Sequence, residues 1–261
     1  MIKFVNITEK EFLQKKYLFK YMPLENALRT LKDKSLWFAN PSTWEDPFER
    51  RFLEAKYLNK NKKETKFRWI DRIFCTCMTQ TITSEAFWNT YSRGNLGIEL
   101  RIRRKVFLDE LKRFDSSNLV NIYIGKVEYM KTDDIKKDLK DIPFNPPIKS
   151  PLQYNDVFTA RLFLLKRTAF EYEDELRFII VKDKVTKEKG IVLNYGCDNT
   201  ELIHSIVLDP RMGDYTYDML KDIFIEEYGF TPKEVGGKIY NRVLRSQLFM
   251  KPKQATLHLD L

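Results

Sequence analysis

Short apolar runs of strand length recur along this 261-residue chain, but they never settle into strict alternation with helical stripes. A doubly wound parallel sheet needs a crossover helix between successive strands, so the irregular order favours an α+β protein. Ile73-Phe74-Cys75-Thr76-Cys77-Met78 reads as a buried strand, and residues 96–100, 120–127, 176–181, 191–194 and 203–208 read as further strands. Leu36-Trp37-Phe38-Ala39 is a short aromatic strand, and residues 238–240 and 243–244 add short ones near the end. Helical spacing appears behind Pro23, where Leu24, Ala27, Leu28 and Leu31 fall at i, i+3, i+4 and i+7. Further stripes are Val106, Phe107, Leu111 and Phe114, and then Met219, Leu220, Ile223 and Phe224 within a helix over 214–228. Thr8 and Glu11 form a capping box, Ser84 opens a short helix to Tyr91 that Gly94 ends, and residues 152–170 read as one long helix. Lys56 to Arg72 carries seven basic residues and reads as a solvated helix or mobile loop. Pro143, Pro146, Pro147 and Pro151 mark a surface loop at about 142–151, short enough to lie within a single domain over 1–261. The expected architecture is one mixed, partly split β-sheet flanked by helices.

Composition narrows the chemistry. With 43% apolar and 14% aromatic residues the chain has material for a packed core. The opening Met1-Ile2-Lys3-Phe4-Val5-Asn6 lacks the basic-then-apolar pattern of a secretory signal, and no apolar run approaches the ~20 residues of a membrane span. A cytoplasmic protein with no membrane partner is expected, in keeping with three cysteines at no framework spacing. Two histidines and those cysteines match no zinc pattern, so no metal is expected. Nine glycines include neither dinucleotide nor phosphate-loop spacing, and no nucleophile elbow occurs. The net charge of +9 points to acidic partners, nucleic acid among them, although lysines spread along a whole chain also serve plain solubility.

Three clusters carry candidate chemistry. In Phe170-Glu171-Tyr172-Glu173-Asp174-Glu175-Leu176-Arg177-Phe178 the strand alternation puts Glu173, Glu175 and Arg177 on one face, with Leu176 and Phe178 turned into the core. The carboxylates would stand about 6.6 Å apart. That face is either a rigid polar site or a solvated sheet surface with an ion pair. In Phe87-Trp88-Asn89-Thr90-Tyr91, Trp88 and Tyr91 share a helical face and suit either core packing or the walls of a flat-ring site. The third cluster is Lys20-Tyr21 together with the proline-braced loop from Asn40 to Glu49, which holds Trp44 and Asp46.

These clusters, in this order, resemble the bacterial domain of unknown function 2971 family. The resemblance runs through Phe19-Lys20-Tyr21 and Leu36-Trp37-Phe38-Ala39-Asn40-Pro41-Ser42-Thr43-Trp44-Glu45-Asp46-Pro47-Phe48-Glu49. It continues in Phe87-Trp88-Asn89-Thr90-Tyr91, Gly97-Ile98-Glu99, Val127-Glu128-Tyr129, Lys166 and Tyr172-Glu173-Asp174-Glu175-Leu176-Arg177. It ends in Ile206-Val207-Leu208-Asp209-Pro210-Arg211 and Val243-Leu244-Arg245-Ser246. Trp44-Glu45-Asp46-Pro47-Phe48 departs from the family's frequent Phe-Asn-Asp-Pro-Phe. The family's layout is similar to that of ADP-ribosyltransferases. The resemblance therefore implies an ADP-ribosyltransferase-like fold, NAD as substrate, and a toxin or phage-defence setting. It implies Glu175, Glu173 and Tyr91 as catalytic residues, with Tyr21, Lys20, Trp88, Asn40, Asp46 and Arg177 holding NAD. The chemical rationale is that loss of nicotinamide leaves an oxocarbenium-like ribosyl centre, which a carboxylate stabilises. Two other readings are a non-catalytic nucleic-acid or phage-component binding module, and a metal-dependent nuclease built on Asp46, Glu49, Glu173 and Glu175.

Overall fold

Ten strands hydrogen-bond into one mixed sheet in a computed structural model that describes residues 2–54, 57–58, 63–65, 69, 71–82, 84–118, 120–137, 141–143, 156–184 and 186–250. They are β1 (Ile2–Val5), β2 (Tyr17–Pro23), β3 (Ser35–Ala39), β4 (Ile73–Thr79) and β5 (Gly97–Arg103). The second half supplies β6 (Val120–Lys126), β7 (Glu175–Lys182), β8 (Gly190–Asn194), β9 (Ile203–Leu208) and β10 (Val243–Arg245). Their order is β1-β6-β7-β4-β2-β5-β9-β10, with the β3–β8 ribbon branching from β4. Most neighbours are antiparallel, while β1 with β6 and β9 with β10 are parallel. The chain is thus a single mixed α+β domain.

The sheet forks at β4. This strand pairs with β2 through Phe19 opposite Thr79 and with β3 through Ala39 opposite Cys75. Between those two contacts the edge of β4 has no continuous strand partner. Lys20 fills part of the gap, donating to Thr76 Oγ1 at 2.9 Å and to the Cys77 carbonyl at 3.1 Å.

Side-chain alternation explains which faces are covered. On β7, Leu176, Phe178 and Ile180 enter the larger core with Phe12, Phe107, Leu111 and Phe224 from helices Glu9–Gln14, Arg104–Asn118 and Asp214–Glu226. Ile179 and Val181 point the other way, under helices Pro47–Glu54 and Asp156–Leu162, with Phe163, Leu164 and Trp69. Helix Glu85–Tyr91 covers Phe19, Tyr21 and Val207 of β2 and β9 with its own Phe87 and Trp88. One side of the sheet therefore has a single core, and the other has two, meeting near the fork.

Several expected elements lie where the sequence placed them. The Thr8–Glu11 capping box is present, and Leu24–Lys32 is the helix behind Pro23. Of the expected helix over 152–170, residues 152–155 lie outside the described residues; Asp156–Leu162 is helix, and beyond it the expectation is corrected to strand Leu165–Arg167 on Glu128–Met130 and a 3-10 turn over Thr168–Glu173. Phe163, Leu164 and Leu165 are buried in succession, and such a run satisfies a core as extended chain as well as helix. Residues 17–23 form a strand where only a lead-in to a helix was expected, and β1 was not anticipated at all. In the basic stretch 56–72, strands Tyr57–Leu58 and Glu64–Thr65 pair, and Trp69 is buried. Of the loop at 142–151, only Ile142 and Pro143 lie within the described residues, and Ile142 is buried. No helix among the described residues is long and apolar enough to cross a membrane.

Gly125 of β6, opposite Arg177, lets the 163–164 segment press on the sheet. A Cβ there would stand 2.2 Å from Leu164 Cδ1 and 3.1 Å from the Val5 carbonyl oxygen. Leu164 is fully buried. Gly125→Ala is expected to lower unfolding stability by about 1–3 kcal/mol of overpacking, read by urea denaturation. An unchanged midpoint would show that this contact is slack.

Candidate active site

The carboxylates of the acidic segment meet through a backbone turn. The 3-10 turn Thr168–Glu173 ends at Asp174, whose φ of 37° and ψ of 58° are left-handed, a conformation aspartate tolerates better than most residues. β7 then starts at Glu175, so the shared strand face expected for Glu173, Glu175 and Arg177 holds only for the last two. Lys166 joins what the strand does not. Its Nζ donates to Glu173 Oε2 at 2.5 Å and to Glu175 Oε2 at 3.1 Å. Arg177 donates from Nε to Glu175 Oε1 at 2.8 Å, from Nη1 to the Phe163 carbonyl at 2.8 Å, and from Nη2 to Glu49. The Cys77 thiol adds a hydrogen bond to Glu175. The reading of this face as a solvated surface is overturned: Glu173, Glu175 and Arg177 are 5%, 3% and 1% exposed.

The proline-braced loop closes this cluster from behind. The Trp44 ring lies 4.7 Å from the Arg177 guanidinium, and Asp46 pairs with Arg167 at 3.1 Å. Arg167 in turn covers Phe48 at 4.6 Å. Asn40 caps the following turn by accepting from Ser42 N at 2.9 Å. Asn40, Asp46 and Arg177 therefore stand outside the cavity wall, and of the three only Arg177 holds a group that faces it, Glu175. Trp88 is likewise set back, almost fully buried and edge-on to Tyr21 at 5.0 Å.

The cavity itself sits at the fork. It measures about 110 Å³, and Lys20, Tyr21, Phe87, Tyr91, Glu173 and Glu175 line it with Phe19, Cys77, Met78 and Thr79. The structure thus brings together Lys20, Tyr21, Tyr91, Glu173 and Glu175, which lie up to 155 residues apart in sequence (175 − 20). Tyr21 is immobilised: its ring stacks on Phe87 at 4.8 Å and its hydroxyl donates to Glu99 Oε2 at 2.5 Å. Glu99 is held in turn by Arg101 at 2.7 Å. Tyr91 and Tyr172, both more than a third exposed, continue the aromatic wall beside Phe87 at 6.1 and 6.0 Å. A groove of about 380 Å³ opens next to the cavity and shares Lys20, Tyr21 and Tyr91 with it. Asn26, Arg29, Trp37 and Val192 form its outer walls.

Burial and charge set opposite directions for the two carboxyls. Burial pushes Glu173 up to about 7, and the nearby Glu175 charge adds to that, against the pull of Lys166. Lys166 cannot offset the burial because it is shared with Glu175 and Glu49. Glu175 is buried more deeply, yet Arg177 and Lys166 together hold it well below the usual carboxylate range. Burial raises the Cys77 thiol and the Tyr91 phenol, so neither is an anion at neutral pH. Lys20 is lowered by burial, with its two hydrogen-bond acceptors both uncharged.

Sequence reasoning did not single out Phe87 as a wall, Cys77 as a carboxylate donor, or Lys166 as the bridge. The Phe87 signal was present in its spacing to Tyr91, but nothing local marks Lys166, whose partners follow it by a turn of chain. Among the described residues no group of three or more His, Cys, Asp or Glu side chains is arranged to hold a metal ion. Asp46, Glu49, Glu173 and Glu175 have arginine or lysine as their cations. Comparison with family models, curated proteins and solved structures finds no match for this chain.

Glu173 makes stability depend on pH in a defined sense. Its proton is held more tightly in the folded than in the unfolded chain, where an ordinary glutamate has 4.5. Its stabilising contribution is complete below about pH 4.5 and is lost as pH rises through about 7. Between about pH 5 and about pH 8 the melting temperature of the wild type is expected to fall relative to that of Glu173→Gln. Parallel curves for the two proteins would remove this assignment.

Proposed function

We propose that this protein cleaves the nicotinamide–ribose bond of NAD and transfers the ADP-ribosyl group to an acceptor. The observation that carries the reading is that Tyr21, Tyr91, Glu173 and Glu175 line one cavity, two aromatic rings and two carboxyls from distant parts of the chain. A volume near 110 Å³ is below the ~300–1,000 Å³ of a whole-ligand pocket, and suits a single flat ring. The adjoining groove, with Lys20 at the junction, has room for the remainder of a dinucleotide.

The proposed roles follow from the charges. Nicotinamide stacks against Tyr91 and the Phe87 side of the wall, and Tyr21 fixes the far edge. The C–N bond breaks with its electron pair leaving on nicotinamide, and the ribosyl carbon becomes cationic. Glu175, kept ionised by its cations, presents an anion to that cation, and Glu173 adds a second carboxylate once it ionises. Glu175, locked by Arg177 and Lys166, is the fixed stabiliser. Glu173 accepts the proton that the acceptor nucleophile loses as its bond to the ribosyl carbon forms.

Nicotinamide release by the purified protein is the test. Glu175→Gln is expected to lower release by about 100-fold or more, and Tyr91→Ala to raise KM. Because Gln at 175 leaves Arg177 partly uncompensated, each variant is checked for an intact thermal transition. The wild-type rate should rise with pH through about 7 as Glu173 ionises, and Glu173→Gln should lose that rise. Absence of release under every condition would leave the non-catalytic nucleic-acid binding module as the better reading.

A further inference from the structure

A strip of side chains leads away from the cavity along one face of the sheet. β2 carries Tyr17, Phe19 and Tyr21 on that face, and the last two are cavity walls. On β5 their partners are Arg103, Arg101 and Glu99 in the same order. Tyr17 stands about 13 Å from Tyr21, four residues at strand rise. Nearest the cavity, Glu99 neutralises Arg101. Beyond it the strip is cationic.

Arg103 donates to the Thr200 and Glu201 carbonyls at 3.0 and 2.6 Å and contacts His204 Nδ1 at 3.1 Å. Arg242 donates to the carbonyls of Thr200, Ile203 and His204. Carbonyl dipoles orient these guanidinium groups without cancelling their charge, and neither has a carboxylate partner among the described residues. His204 stacks on Tyr17 with centroids 4.6 Å apart and planes 20° apart. Burial, with Arg103, Arg242, Arg101 and Lys233, depresses this histidine to about 4, so at neutral pH the ring is an uncharged flat surface within a positive field. Lys233 belongs to a hairpin of strands Lys233–Val235 and Lys238–Tyr240 in which every paired residue is exposed.

We propose that this strip, the Tyr17–His204 platform flanked by Arg103 and Lys233, binds single-stranded nucleic acid and leads it toward the cavity. Unpaired bases stack on aromatic and imidazole rings with little regard to sequence, while phosphates seek the flanking cations. A duplex hides its base faces and would use only the charge. An acidic membrane would likewise use charge alone. That the strand is the acceptor of transfer rests on the NAD reading; that it binds does not.

Binding is measured by fluorescence anisotropy of a labelled oligonucleotide of about a dozen nucleotides, without NAD. Two phosphate contacts predict that log affinity falls with log salt at a slope of about −1.4. Tyr17→Ala should weaken binding about tenfold and Tyr17→Phe should restore it. Lys233→Glu, on the exposed hairpin, should weaken binding several-fold, and Lys187→Glu, the same charge change on a remote exposed loop, should not. Equal effects of the two lysine changes would mean diffuse attraction and overturn the proposal. So would equal affinity for duplex, no binding at low salt, or acidic phospholipid vesicles binding with the same Lys233 dependence and no Tyr17 dependence. Loss of NAD cleavage with intact oligonucleotide binding would remove the transferase reading and leave this surface. Cleavage without oligonucleotide binding would do the reverse.

Discussion

The rest of the site depends on one buried knot of charge, in which Lys166 and Arg177 are shared among Glu49, Glu173 and Glu175. Each ion taken from water costs several kcal/mol, and that cost is offset only while every partner stays in place. The knot consequently ties four stretches of chain to one another: the first turn of helix Pro47–Glu54, the strand bearing Lys166, the turn at Glu173 and the start of β7. Removing one cation would leave carboxylates buried without compensation, which costs far more than replacing the whole group by apolar side chains. Such a cluster is a poor source of stability and a strong source of specificity in how these segments meet. It also keeps two carboxyls of unlike acidity side by side, one fixed as an anion and one titrating near neutrality.

The fork in the sheet gives that knot access to a ligand. Had β4 paired along its length with β2, backbone hydrogen bonds would fill the space where the cavity lies. A single residue pair at Phe19 and Thr79 leaves the gap, and Lys20 donates to the Thr76 hydroxyl and the Cys77 carbonyl of β4 within it. The walls are rigid because they are strands and stacked rings, and such elements hold site geometry more closely than loops do. Tyr21 shows how the two halves are joined: its ring belongs to the aromatic cluster under helix Glu85–Tyr91, and its hydroxyl belongs to the Glu99–Arg101 pair on β5. The same face of β2 then continues as the cationic strip, so the cavity and the strip share one physical support.

Much of the fold was legible in order and type. Strands such as 73–79 and 203–208 announced themselves by continuous apolar runs, and the Thr8–Glu11 box and the Leu24–Lys32 stripe by spacing. The failures have a common cause. Residues 156–170 and 17–23 are runs whose apolar side chains are wanted on several sides at once, so periodicity does not distinguish helix from strand there. Glu173 was assigned to the strand because alternation fits it. The left-handed Asp174 breaks the strand one residue later, and a single backbone conformation of that kind leaves no trace in a pattern of residue types.

The sequence by itself determined the α+β class and marked Lys20, Tyr21, Tyr91, Glu173 and Glu175 as candidates, with a solvated face and core packing left open beside a site. Side-chain chemistry and local spacing suffice for that much. Tertiary structure alone decided that these five converge, that Asn40, Asp46, Trp88 and Arg177 stand behind the wall, and that Lys166 bridges the carboxylates. It also decided that the acidic strand face is buried, which separates the acidities of Glu173 and Glu175. The physical reason is that convergence depends on strand order and on the register of the fork, which are set by long-range pairing across the whole sheet. Solvation depends in the same way on which helices close over each face, and no window of neighbouring residues records either.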